Sequence, residues 1–104
     1  MKINDVYTAY ISWQDGGKRR PVLIVNVTNT EVRVFKITTK YENKSQSIKN
    51  KYYKIQDLSS AGLLKQSYID TIKTYSLNPE KIKFKKIGKL STEDILELAK
   101  FINR

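Results

Sequence analysis

Three runs with strand periodicity fill the first 39 residues, and only short turn-like stretches separate them. Asp5–Trp13 alternates Val6, Thr8, Tyr10 and Ser12 with Tyr7, Ala9 and Ile11, as a half-buried strand does. Gln14-Asp15-Gly16-Gly17 reads as a turn, its two glycines free to adopt positive φ. Arg20–Val27 is an almost continuous apolar run, expected to be a central strand buried on both faces, with Pro21 tolerated near its start. Asn29-Thr30 reads as a hairpin turn before Glu31–Thr39, which alternates again. Strands this close in sequence pair antiparallel, because a parallel crossover needs a dozen residues or more.

The rest of the chain is punctuated more finely. Lys40–Lys51 is polar and Lys/Asn/Ser-rich, which predicts a mobile loop. Tyr52–Ile55 is a short strand, and Asp57–Leu63 a single helical turn capped by Asp57 and stopped by Gly62. Ser67–Lys73 is a further strand. Leu77–Lys81, with Pro79, predicts a short turn of helix. Ser91-Thr92-Glu93-Asp94 resembles a capping box, and Ile95, Leu98, Ala99 and Ile102 then recur at helical spacing. The expected fold is mainly β (α+β), a small antiparallel barrel or strongly bent sheet with a C-terminal helix, in a single domain over residues 1–104.

Charge narrows the function. Sixteen Lys and four Arg stand against ten acids, a net charge of +10. Such a chain attracts polyanions, because each contact with phosphate releases condensed counterions. A membrane-surface role fits less well, since no helix pairs a basic face with an exposed aromatic or Leu face. The chain has no Cys and no His. That removes disulfides, zinc fingers, thiol nucleophiles and the usual general base, and no metal is expected. No apolar run approaches the ~20 residues of a bilayer span. Asn4 and Asp5 interrupt the stretch where a signal peptide would be apolar, so a cytoplasmic protein is the expectation.

Apart from the adjacent Glu93-Asp94, the ten acids are spread singly, which offers no obvious carboxylate pair or two-metal site. Among nucleic acids, RNA is then the easier substrate to cut. Its own 2′-OH can attack the neighbouring phosphate, leaving the protein to stabilise charge, position atoms and move protons. Arg, Thr and one carboxylate suffice for that.

Several stretches resemble the MazF/PemK toxin family, in order along nearly the whole chain. Asp5-Val6-Tyr7 and Gly16-Gly17-Lys18-Arg19-Arg20-Pro21-Val22-Leu23-Ile24-Val25 are similar to its opening strand, Gly-containing loop and Arg-Pro strand start. Ile37-Thr38-Thr39 falls at its Thr-containing strand end. Tyr68-Ile69-Asp70-Thr71-Ile72-Lys73-Thr74 resembles its acid-x-x-Arg/Lys-Thr/Ser strand, and Ile87-Gly88-Lys89-Leu90-Ser91 leads into the closing helix.

The resemblance implies the toxin of a type II toxin–antitoxin pair. It would be an SH3-like barrel that forms a homodimer and works without metal or cofactor. It would be a ribosome-independent endoribonuclease that cuts single-stranded RNA by 2′-OH attack, and a small acidic MazE/PemI-like antitoxin would cover its RNA groove. Arg20 matches the family's catalytic Arg, Thr38 its catalytic Thr, and Asp70 an acid that carries a proton in the PemK branch. Arg19 is the alternative to Arg20; Thr38 and Thr39 are also natural strand residues; Asp70 could instead pair with Lys73 or cap a loop. Trp13 reads as a base-stacking platform or as packing. Lys18, Arg19, Thr39, Lys40, Lys44, Lys49 and Lys51 make up the RNA-binding set, with Lys44, Lys49 and Lys51 an electrostatic funnel or simply a solvated loop. The first loop is shorter than the family's and carries Trp13-Gln14-Asp15, and Tyr68 stands where the PemK branch has a second Arg. A gyrase-poisoning toxin of the related CcdB type, and a non-catalytic basic module binding RNA or DNA, are the alternative readings.

Overall fold

Each alternating run becomes a strand of one antiparallel sheet. The computed structural model describes residues 1–104 apart from the side chain of Trp13. Six strands, β1 (Asp5–Trp13), β2 (Gly16–Val27), β3 (Val32–Thr38), β4 (Tyr52–Lys54), β5 (Tyr68–Leu77) and β6 (Lys85–Lys89), are ordered β4-β5-β3-β2-β1-β6. Two helices complete the chain, the single turn α1 (Gln46–Lys49) and the C-terminal α2 (Thr92–Ile102). The sheet is barrel-like but not closed. Among the described residues no helix is long and apolar enough to cross a membrane.

Alternation sorts the apolar residues onto two faces. Val6, Leu23, Ile37, Tyr53 and Ile69 meet Leu98 of α2 in one cluster, with Phe35, Ile95 and Phe101 packed at its border. Ala9, Ile11, Val22, Ile24, Val32 and Val34 form the second, against Leu77, Tyr75 and Phe84. Val22, Leu23 and Ile24 are buried on both faces, as their unbroken apolar run requires.

Three expectations change, and one strand was not expected. Gln14 and Asp15 alone make the first turn, because Gly16 already pairs with Trp13 and Gly17 with Ser12. The Lys40–Lys51 stretch contains α1, whose N-cap Ser45 accepts a hydrogen bond from the Ile48 N–H. The turn expected at Leu77–Lys81 starts later: β5 runs on through Leu77, and Asn78 then caps a single turn, its side chain accepting from the Glu80 N–H and its carbonyl from the Lys81 and Ile82 N–H groups. The polar segment Lys85–Lys89 is a strand, paired to β1 and lacking the apolar alternation that would reveal it.

The segment after β4 spans the distance to the opposite edge of the sheet. Asp94, fully buried in the first turn of α2, accepts hydrogen bonds from the Tyr53 hydroxyl (2.6 Å) and the backbone N–H groups of Gln56 (3.0 Å) and Asp57 (2.9 Å). Ser60 then pairs with Lys89 on the outer side of β6, its carbonyl accepting from the Lys89 N–H (3.0 Å) and its hydroxyl donating to the Lys89 carbonyl (2.9 Å). The approach is close enough to require Gly88: a Cβ there would lie 2.5 Å from the Ser60 carbonyl oxygen. This strap covers the β6 edge, which would otherwise offer free N–H and C=O groups.

Candidate functional site

A fork between two strands creates the site. The β2–β3 ladder ends at Val22 opposite Lys36, although β2 begins at Gly16 and β3 continues to Thr38. Over the same residues β2 stays paired to β1. Pro21 suits the fork, since it has no N–H to give to a ladder. An open cleft of about 160 Å³ lies there, lined by Arg20 and Thr38 together with Lys18, Arg19, Thr39 and Lys40, and by the buried Ser67.

Strand alternation sends the two arginines to opposite faces. Arg19 donates to the Thr8 carbonyl (3.3 Å) and hydroxyl (3.2 Å) and to the Lys83 carbonyl (3.4 Å), which ties β2 to β1 and to the segment before β6. Arg20 stands opposite Ala9. Its Nε is buried with no hydrogen-bond partner, a costly state in a folded protein.

The register places Arg20, Lys36, Thr38, Tyr52, Tyr68 and Asp70 on one face, with Lys36 opposite Asp70, Thr38 opposite Tyr68 and Tyr52 opposite Asp70. Asp70 is only 8% exposed and accepts from the Ile72 N–H at 3.0 Å. Its cationic partner is Lys36, at 4.0 Å, and not Lys73. Burial and the Asp70 charge push the Tyr52 hydroxyl above its ordinary range, with the Arg20 charge opposing. Thr38 Oγ1 accepts from the Lys40 N–H (3.1 Å), which fixes the chain as it leaves β3.

The cleft continues into a groove along Thr39, Lys40, Tyr41 and Lys44. Tyr41 stacks on Tyr68, centroids 4.2 Å apart and rings 5° from parallel, and Lys49 Nζ lies 5.0 Å from the Tyr41 ring centre. Tyr68 thus borders the groove through Tyr41, as one half of a stacked aromatic pair.

The profile of the PemK-like, MazF-like toxins of type II toxin–antitoxin systems matches residues 2–104, essentially the entire chain. The chain belongs to this toxin family. A search of curated proteins finds no significant match. As a type II toxin of the PemK/MazF kind, the protein has an antitoxin as its partner.

On this PemK/MazF-like toxin the residues singled out by sequence do not all converge. Lys18, Arg19, Arg20, Thr38, Thr39 and Lys40 meet at the cleft, Lys44 lines the adjoining groove, and Lys49 packs on Tyr41. Lys51 stands apart, beside Thr71, Phe101 and Arg104 near the end of α2. The Trp13 side chain lies outside the described part of the structure. Among the described residues no three acids gather as a metal site would need. Lys36, Tyr41 and Ser67 were not singled out. Lys36 left a readable trace: it shares the parity of the buried Val32 and Val34, so its charge must face inward at the end of β3.

Proposed function

We propose that this toxin is an endoribonuclease that cuts single-stranded RNA at the Arg20–Thr38 cleft, using the substrate's own 2′-OH. The observation that carries the reading is the buried, unpartnered Arg20 Nε beside Thr38, in a family of toxins. In the reaction the 2′-oxygen bonds to phosphorus and loses its proton, the P–O5′ bond breaks, and the 5′-oxygen gains a proton. The products are a 2′,3′-cyclic phosphate and a 5′-OH end. The Arg20 guanidinium meets the charge that gathers on the non-bridging oxygens with paired N–H donors. Thr38 adds a hydroxyl donor, and Asp70, on the same face, carries the proton. A small acidic antitoxin would silence the enzyme by covering this basic cleft, and the working unit is a homodimer.

The test is cleavage of a long single-stranded RNA by purified protein with EDTA present. Cuts at a short recurring sequence, leaving cyclic phosphate ends, are expected. Binding without cleavage would sink the catalytic reading.

A further inference from the structure

A second cavity lies over the same face and shares Arg20 with the cleft. Its volume is about 360 Å³, and its walls are Ile11, Ser12, Arg20, Lys36, Lys73 and Tyr75. Three cations therefore border one open space. Only Lys36 has an acidic partner, Asp70 at 4.0 Å; among the described residues Arg20 and Lys73 form no ion pair. Lys36 and Lys73 both approach the ring of Tyr75, with Nζ atoms 5.1 and 4.8 Å from its centre. The ring's quadrupole attracts each ammonium, so one aromatic side chain draws both cations to the same cavity. Gathering like charges is unfavourable unless something negative joins them.

We infer that this cavity is a second phosphodiester-binding subsite, which holds the phosphate flanking the one cut at Arg20. This rests on the RNA-cleaving function proposed above. Lys36 and Lys73 are its cations, and Tyr75 is the positioning residue that sets their spacing. The favoured ligand is an RNA strand rather than an acidic peptide because Arg20 borders both hollows. A ligand with anions at regular intervals spans the two sites, and the phosphodiester backbone is one. Seating the flanking phosphate fixes the scissile one without touching the reacting atoms, so the subsite acts on binding and orientation.

Lys73 is exposed, and its replacement leaves both apolar clusters intact. The first measurement uses a fluorescent mixed-sequence 2′-deoxy 12-mer, which cannot be cleaved by this route, titrated at several salt concentrations. Lys73→Gln should make the log–log salt slope shallower by about 0.7, the value of one phosphate contact on a single strand. Tyr75→Leu should weaken binding with Lys73 present and add little in the Lys73→Gln background. The second measurement uses cleavable RNA with one linkage at a time made neutral as methylphosphonate around a mapped cut site. At one flanking linkage the parent's KM should rise about fivefold with kcat little changed, and Lys73→Gln should no longer sense that substitution. An unchanged salt slope overturns the subsite, as does a methylphosphonate effect equally large in Lys73→Gln. So does a parent that fails to bind the 12-mer, or a Lys73→Gln protein that loses only affinity for an acidic peptide. A parent that binds with the expected slope but never cuts RNA defeats the catalytic proposal and leaves the anion site standing.

Discussion

Arg19 and Arg20 share a peptide bond and face opposite sides of β2, so their substitutions should fail in different ways. Arg20→Ala removes the stabiliser of the developing phosphorane, a loss that typically costs on the order of 10²–10³ in rate. Single-turnover cleavage should fall by that much while circular dichroism and most RNA affinity stay unchanged. Arg20→Lys should be severely slowed too, because an ammonium cannot replace the paired donors. Thr38→Ala should be clearly slower, though less so. Arg19→Ala instead breaks the tie to Thr8 and Lys83, so its expected signature is a lower melting temperature with cleavage largely kept. Near-parent cleavage by Arg20→Ala would remove the mechanism. Arg20 and Thr38 could be singled out in the sequence because each falls in a stretch that resembles the toxin family, beside Pro21 or Thr39. Lys36 escaped notice because a Lys in a strand looks ordinary until pairing reveals which face it takes.

Among the elements, α2 is fastened most specifically. Burial alone would raise the Asp94 carboxyl, but hydrogen bonds from the Tyr53 hydroxyl, the Asp57 and Gln56 N–H groups and the Ser91 hydroxyl outweigh it and hold the pKa below the usual 3.8. A group depressed in the folded state stabilises above its unfolded pKa, and that stabilisation is lost as pH falls through the lower folded value. Urea midpoints should therefore hold near neutrality on this account and drop below about pH 4. Asp94→Ala leaves a buried hydroxyl and two N–H groups unpaired and should cost on the order of 3 kcal/mol at pH 7, with much of the acid dependence gone. A variant whose midpoint fell just as steeply in acid would show that other carboxylates govern the transition. Gly88→Ala drives a methyl into the Ser60–Ala61 backbone and should cost about 1–3 kcal/mol in the same assay. The cap, periodicity and dipole pattern made α2 plain in the sequence. β6 was hidden because both its faces are largely polar; its strand state comes from β1 on one side and Ser60 on the other.

Taken as a whole, the molecule carries +10, and RNA should be held largely through phosphate. With four or five phosphates engaged, the log–log salt slope on a single strand should be roughly −3. A slope near zero in a fluorescence titration would exclude that mode. Light scattering at micromolar concentration should give about twice the 12.1 kDa chain mass, and a clean monomer would count against the dimer. The bent antiparallel sheet followed from three strand-periodic runs at short spacing. The cleft did not, because it depends on where a ladder stops, which no local pattern records. The strap held by Asp94 also bears on how the chain comes into being. β1 waits for residues 85–89 before its outer edge is paired, and Tyr53, Gln56 and Asp57 wait for residue 94. At ~5–20 residues per second, synthesis of the chain takes roughly 5–20 s. For nearly all of that time the nascent polypeptide lacks the last pieces that lock its sheet. A sheet wired this way keeps one edge unpaired until residues 85–89 are made, and its strap unfastened until residue 94 follows.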